Sequence, residues 1–291
     1  MLRRLCWLLY GVCATAWAEV QVTDDTGSRV RLSAPAQRIV SLAPHITEVL
    51  FAAGAGDKLV GVVDYSDYPL PAKKIRRVGS YAQQDLEAIA ALKPDLVVAW
   101  ESGNPAASVA KLKALGLPVY VSQPNRIEDI AKDIERYGKL AGTDVVASAE
   151  AARFRERLQR LAARYGNQPP VTVFYQIWKQ PLMTVNGKQI ISDVLTVCGG
   201  RNVFANLPTL APTVTLESVI AANPEAIIAS GMDDARPEWL DDWRRWKQMA
   251  AVRNDNLYFV PPELLQRHTP RILDGAEQLC RHLETARHKR P

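Results

Sequence analysis

Few side chains in this sequence are spaced for bond-making. It contains no G-x-S-x-G elbow, Walker A loop, G-x-G-x-x-G fingerprint or H-E-x-x-H pair. Ser, His and Asp all occur, but nothing local groups them. Of the four histidines, His282 and His288 fall in the C-terminal segment, while His45 and His268 each stand beside an expected loop. His45 and Glu48 would share a helix face and could hold a cation, but a tight zinc site takes three or four ligands. No catalytic group and no metal is therefore expected. What remains is binding chemistry. Tyr65 and Tyr68 follow one expected strand, Trp100 ends another, Tyr81 sits in a loop entry and Trp178 follows a third strand. Glu263, Leu264, Leu265, Gln266 and Arg267 follow a fourth. Large flat side chains beside a few polar anchors suit a broad, mostly apolar ligand with polar edges.

The elements that must carry these residues announce themselves as a repeat. Leu86-Glu87-Ala88-Ile89-Ala90-Ala91-Leu92-Lys93-Pro94-Asp95-Leu96-Val97-Val98-Ala99-Trp100 returns as Leu216-Glu217-Ser218-Val219-Ile220-Ala221-Ala222-Asn223-Pro224-Glu225-Ala226-Ile227-Ile228-Ala229-Ser230. Each copy reads as a short helix, a Pro-acid turn and a buried strand. The 130-residue offset far exceeds a solenoid period, so two similar α/β lobes are expected, with a ligand cleft between them. Glu87 and Glu217 hold the same place in the two copies. A carboxylate there is favoured by the helix dipole, and two such exposed carboxylates also make a handle that arginines of a two-fold partner could grip.

Around the repeat, strands at 39–42, 59–63, 119–121, 171–176, 182–185 and 257–260 alternate with helices at about 44–53, 106–115, 127–140, 189–197, 239–249 and 270–285. That alternation predicts mainly parallel sheets with helices on both faces. From Thr143 to Tyr165 there is no Gly or Pro, and Phe154, Leu158, Leu161 and Tyr165 lie on one helical face. This long helix, with Thr143 as its N-cap, is expected to join the lobes. The resulting division is an export segment at 1–18, an N-terminal hairpin or arm at 19–37, a first lobe at 38–142, the linking helix at 143–168 and a second lobe at 169–291.

The export segment follows from Arg3 and Arg4, an apolar stretch too short to span a bilayer, and Ala16-Trp17-Ala18 before the cleavage point. Cys13 is a poor lipidation site because Tyr10-Gly11-Val12 precedes it. The 291 residues are 47% hydrophobic and 23% charged, a globular balance. Losing Arg3 and Arg4 leaves 34 basic against 31 acidic side chains, scattered except in the tail Arg287-His288-Lys289-Arg290, with no stripe for nucleic acid. Cleavage also removes Cys6 and Cys13. Cys198 and Cys280 remain, and two cysteines in an oxidising compartment most simply form one bridge, with two buried free thiols as the alternative.

These residues carry a family resemblance. The chain resembles the cobalamin-binding periplasmic proteins that deliver ligand to ABC importers and, more broadly, the rigid-helix class that also serves haem and iron-siderophores. The carrying segments are Ile39-Val40-Ser41-Leu42-Ala43-Pro44 with Thr47-Glu48, Tyr65-Ser66-Asp67-Tyr68-Pro69, Leu92-Lys93-Pro94-Asp95-Leu96-Val97, Val197-Cys198-Gly199-Gly200 with Asn202-Val203-Phe204, and Pro270-Arg271-Ile272. The resemblance implies that Tyr65, Tyr81 and Trp100 contact the corrin, that the segment from Glu263 to Arg267 is a ligand-contacting loop, that Glu87 and Glu217 dock on the permease dimer, and that Cys198 and Cys280 are bridged. It implies a periplasmic protein, monomeric when free, that carries cobalamin or a related corrinoid as cargo and needs no cofactor. Ala211 stands six residues before Glu217, where the family has an aromatic. Haem or siderophore binding is the alternative within the class, and an exported enzyme using the same cleft is the alternative outside it.

Overall fold

In the computed structural model, which describes residues 19–231 and 235–290, the strands of the described residues form a hairpin and two four-stranded parallel sheets. The expected export segment lies outside the described residues. The hairpin pairs β1 (Val20–Thr23) with β2 (Arg29–Leu32), and its turn is closed by the Asp24 carboxylate, which accepts the Thr26 and Ser28 amides. It is docked rather than a free arm. Asp25 accepts the Gln123 amide at 2.6 Å and pairs with Arg136 at 2.5 Å, while its own amide donates to Val121.

The first lobe runs β3 (Ile39–Ser41), α1 (Pro44–Ala52), β4 (Leu59–Val62), α2 (Leu86–Ala91), β5 (Leu96–Trp100), α3 (Ala106–Ala114), β6 (Val119–Ser122) and α4 (Ile127–Ala141), with strand order β4-β3-β5-β6. Then comes α5 (Asp144–Tyr165), whose 22 residues span about 33 Å. The second lobe follows with β7 (Val171–Gln176), α6 (Ile190–Val197), β8 (Gly200–Asn202), α7 (Leu216–Ala222), β9 (Ala226–Ala229), α8 (Ala250–Arg253), β10 (Leu257–Phe259), α9 (Pro262–Leu265) and α10 (Ile272–His288). Its order, β10-β9-β7-β8, repeats the connectivity of the first sheet.

The repeated sequence repeats because its parts do the same work. Asp85 and Thr215 cap α2 and α7, accepting the amides of Ala88 and Ser218. Lys93 and Asn223 take the same left-handed turn, at φ 47° and 42°. The acid after the proline then secures the neighbouring strand. Asp95 accepts the Gln37 and Arg38 amides before β3, and Glu225 accepts the Thr172 amide in β7.

One apolar cluster is continuous through both lobes. It includes Ile46 and Leu50 of α1, Ile134 and Tyr137 of α4, Phe154, Leu161 and Tyr165 of α5, Leu195 of α6, and Leu279 and Leu283 of α10. The face predicted for α5 is therefore the buried one. Arg155 ties α5 to Glu128 and Glu135 of α4, and Arg157 ties it to Asp274 and Glu277 of α10. Asp193 of α6 accepts the Ile127 amide at the start of α4. Swinging the lobes apart at this core would expose apolar surface at roughly 25 cal/mol per Å², so the side of the cleft backed by α5 resists opening. Separate clusters around Val40, Ile89 and Val97, and around Phe174, Val219 and Trp243, cover the two outer sheet faces.

Four expectations need correction. Residues 182–185 do not join a sheet. Met183 bridges Trp178 and Thr213, and Thr184 donates to Pro212, so this extended run pairs with loop backbone. The expected helix at 239–249 is a 3₁₀ turn over Glu238–Arg245 followed by α8, and within it buried Trp243 is anchored by its indole N–H on Gln176. The last helix starts at Ile272, after a turn through Pro270 and Arg271. Thr143 stands at the N-cap position of α5 as expected, but its side chain accepts no helix amide; its hydroxyl is turned to the Ala53 carbonyl, to which it donates. Cys198, at the end of α6, and Cys280, in α10, form a disulfide with Cα atoms 4.6 Å apart.

Candidate functional site

In an open parallel sheet, ligands lie beyond the carboxyl ends of the strands, where successive crossovers turn opposite ways. That point falls between β3 and β5 in one lobe and between β7 and β9 in the other. The strand ends there are Ser41 and Trp100 on one side, Gln176 and Ala229 on the other. Between the lobes lies a cavity of about 310 Å³, lined by Trp100, Ser102 and Gln123 from the first lobe and by Ile177, Ile190, Gln266 and His268 from the second.

Trp100 is the centre of the first-lobe wall. Its indole lies edge-on to His45 at 5.0 Å and to His268 at 6.2 Å, and is tilted against Tyr81 at 6.1 Å. Buried Asn104 holds the arrangement, accepting the Trp100 amide and donating to the carbonyls of Leu42 and Tyr81. Asn104 had no signal beyond being a polar turn residue after a strand. Gln176 plays a similar part opposite, accepting the Trp243 indole at 2.8 Å and donating to the Trp178 carbonyl.

Tyr65 is displayed on the surface, in the loop after β4. It is 73% exposed and takes φ 62°, a left-handed conformation uncommon for a bulky residue. The surrounding loop makes this possible. Buried Ser66 accepts the Thr47 hydroxyl, and Arg77 donates to the carbonyls of Val63 and Ser66. Tyr68 lies beneath the Arg271 guanidinium, 4.0 Å from ring centroid to charge.

The segment expected to contact ligand divides. Its first residues, Glu263 and Leu264, belong to the one-turn helix α9. Leu265 is fully buried in the core and is corrected out of the cleft lining. Gln266 lines the cavity and donates to the Ser230 carbonyl. Arg267 turns to the opposite lobe, with one nitrogen 3.2 Å from Glu48 and 2.7 Å from Asp67. Glu48, only 4% exposed, also takes two hydrogen bonds from Arg271, at 2.9 and 2.8 Å. Its carboxylate is thus committed to arginines and does not face a cation with His45. Among the described residues no group of three or more His, Cys, Asp or Glu could hold a metal ion.

Trp178 does not join Trp100. Its indole donates to the Gln180 carbonyl, and it lines a separate second-lobe hollow with Lys179 and Trp239. Beside that hollow is a cavity of about 500 Å³ walled by Trp239, Trp243, Trp246, Leu182 and Leu216. Ala211 lines the inter-lobe cavity, where its small side chain leaves room. Glu87 and Glu217 are both exposed, each the second residue of its helix.

The two cleft histidines are neutral at neutral pH. Burial lowers the pKa of His268 to about 4. For His45 burial is the main cause, and His268 and Arg267 add to it, holding its pKa well below the usual value.

Comparison with known proteins agrees with this architecture. Residues 39–264 match the family model described as periplasmic binding protein. A vitamin B12-binding protein of Vibrio parahaemolyticus is 41% identical over 259 residues, 88% of this chain and 92% of its own. The crystal structure of the periplasmic vitamin B12-binding protein of Vibrio cholerae superposes with a TM-score of 0.81 at 39% identity, covering 87% of this chain and 98% of that one. A periplasmic heme-binding protein of Pseudomonas aeruginosa gives a TM-score of 0.71 at 25% identity, covering 84% and 91%. These relatives are binding proteins rather than enzymes. Two lobes of one topology, a long helix packed against both and a cleft at their facing strand ends thus accompany the sequence match, and the chain belongs to the periplasmic binding protein family.

Proposed function

We propose that the chain captures cobalamin, or a closely related corrinoid, in the inter-lobe cleft and delivers it to the permease dimer of an ABC importer. The observation that carries this reading is an inter-lobe cleft lined by Trp100, with Tyr81 packed against that indole and Tyr65 exposed in the loop after β4, in a chain 41% identical to a vitamin B12-binding protein. A corrin is broad, rigid and partly apolar, with amide-bearing edges, so it needs flat side chains and a few polar groups. Gln266 and the remaining donors of Arg267 supply polar contacts. Exposed Glu87 and Glu217 engage arginines of the two permease subunits. The segment at 1–18 directs the chain to the periplasm, where it acts as a monomer, with lobes at 38–142 and 169–291 and a linking helix at 143–168.

Calorimetry on the mature protein tests the reading. Cyanocobalamin is expected to bind one to one with Kd at or below about a micromolar, roughly −8 kcal/mol. Haem is the competing ligand. It would want an axial Tyr or His, and with His45 and His268 buried the most exposed phenol in these loops is that of Tyr65. Tight haem binding without any heat from cyanocobalamin would overturn the corrinoid reading.

A further inference from the structure

Along one edge of the cleft the lobes meet through charged and titratable groups. The first lobe supplies His45 and Glu48 from α1, with Asp67 and Tyr68 from the loop after β4. The second supplies Arg267, His268 and Arg271 from the turn between α9 and α10. Two carboxylates thus face two guanidiniums. Against this balanced cluster the rings of His45 and His268 meet across the boundary with centroids 5.4 Å apart. Both are buried, and His45 Nε2 and His268 Nδ1 have no hydrogen-bond partner among the described residues. An apolar pair would fill this seam without leaving polar nitrogens unsatisfied, so the imidazoles are a poor choice for packing alone.

We propose that His45, Glu48, Arg267, His268 and Arg271 form an inter-lobe latch, which sets the cleft gap while the imidazoles are neutral and loosens when they take up protons. Protonation adds two cations to a seam whose carboxylates are already engaged. Arg267 and His268 both act on His45 as like charges. The other groups near the seam are Glu263, which acts on Arg271, and Lys73, which acts on Asp67. Asp67 is held below the usual carboxylate range by hydrogen bonding and attraction from Arg267, which outweigh its desolvation, so it stays charged as pH falls. When the lobes part, the imidazoles regain water and return toward about 6.5. The open form then binds more protons, so it gains as pH drops below about 6.5, and the closed form holds above it. For His268 alone, with a closed-state pKa of about 4, the open-to-closed ratio at pH 5 rises about thirtyfold.

The test combines an inter-lobe distance with a ligand readout, and only the latter rests on the corrinoid reading. Exposed Lys111 of the first lobe and Gln248 of the second are replaced by Cys and spin-labelled, and their distance distribution is measured at pH 7.5 and pH 5. Calorimetry gives the cyanocobalamin Kd at the same two pH values. The wild-type side chains at the latch should give a longer, broader distribution at pH 5 and a Kd weakened at least about fivefold. In the double variant His45→Gln with His268→Gln, whatever its Kd at pH 7.5, the distance distribution should not shift and the Kd should change less than about twofold between the two pH values. Glu48→Gln should lengthen the distance already at pH 7.5. An unchanged wild-type distance between the two pH values, or an undiminished response in the double variant, overturns the latch. If cyanocobalamin gives no heat at either pH while the distance still responds, the latch stands and the corrinoid reading falls.

Discussion

Breaking the Cys198–Cys280 bridge should cost this protein a large share of its stability. The bridge joins the end of α6 to the middle of α10, 82 residues later. The chain between them includes β8, α7, β9, α8, β10 and α9, the remainder of the second sheet. Opening a loop of that size restores about 15 cal/mol/K to the unfolded chain, or about 4.5 kcal/mol at 25 °C. With the entropy of unfolding expected for this length, that is a fall in Tm of about 8 °C. Both sulfurs are fully buried, so replacing them with Ala would add a packing loss to the loop term. Guanidinium unfolding of the unmutated protein with and without dithiothreitol avoids this, since the side chains stay and only the crosslink goes. Tryptophan fluorescence is a suitable probe because Trp239, Trp243 and Trp246 pack within the second lobe. Oxidised and reduced curves that agree within about 1 kcal/mol would refute the loop argument, and two titratable thiols in unfolded, unreduced protein would refute the bridge itself.

Three further outcomes are expected. Tyr65→Ala should weaken cyanocobalamin binding by about 1–3 kcal/mol in calorimetry and leave Tm unchanged, because the ring is exposed; unchanged affinity would take Tyr65 out of the site. Glu87→Lys combined with Glu217→Lys should abolish corrinoid uptake by cells while leaving Kd alone, and normal uptake would reduce both residues to helix-start carboxylates. Asp133, buried in the first lobe, has its pKa raised to about 7, chiefly by burial and then by Asp25; Arg136 opposes this but sits closer to Asp25. Its folded pKa lies above its unfolded value of about 3.9, so the stability it confers is full below about pH 4 and is lost as pH rises through about 7. Asp133→Asn should therefore gain stability relative to wild type between pH 5 and pH 8 in urea unfolding, and a constant difference across that range would refute the assignment.

What the sequence made legible was local or repeated. The parallel strands could be read from their apolar runs and the linking helix from the spacing of Phe154, Leu158, Leu161 and Tyr165, because a helix or strand period belongs to one segment. The Pro-Asp and Pro-Glu turns stood out because two sheets of one topology both need an acid to satisfy the first amides of a neighbouring strand. β8 was missed because Gly199 and Gly200 carry no strand signature, and its place depends on β7 and on Asn202, which donates to Val185 and Ser192. Leu265 illustrates the limit at the site. A segment after a strand end reads as one block facing the cleft, yet one helical turn sends neighbouring side chains in different directions, so Gln266 lines the cavity while Leu265 enters the core.

The least legible part of the cleft is the edge where the lobes meet. Glu48 and Arg271 lie 223 positions apart, in segments that each carried part of the family resemblance, Thr47-Glu48 and Pro270-Arg271-Ile272. Within each segment nothing marks the residue as one half of a pair. The pairing exists only because α1 and the turn before α10 leave corresponding ends of two sheets that face each other. The same geometry turns His45 and His268 from two isolated loop histidines into a buried pair beside Trp100. A two-lobed binding protein needs such contacts, because a ligand held between lobes is bound well only if the gap is already right, and ordering the gap at the moment of binding would subtract from affinity. The continuous core around α5 fixes the lobes along the back of the cleft, and the Glu48 cluster fixes them along one edge. The relative position of the two cleft walls is thus set by pairs no single segment can encode, while Trp100, which lines the cleft, is written plainly at the end of its strand.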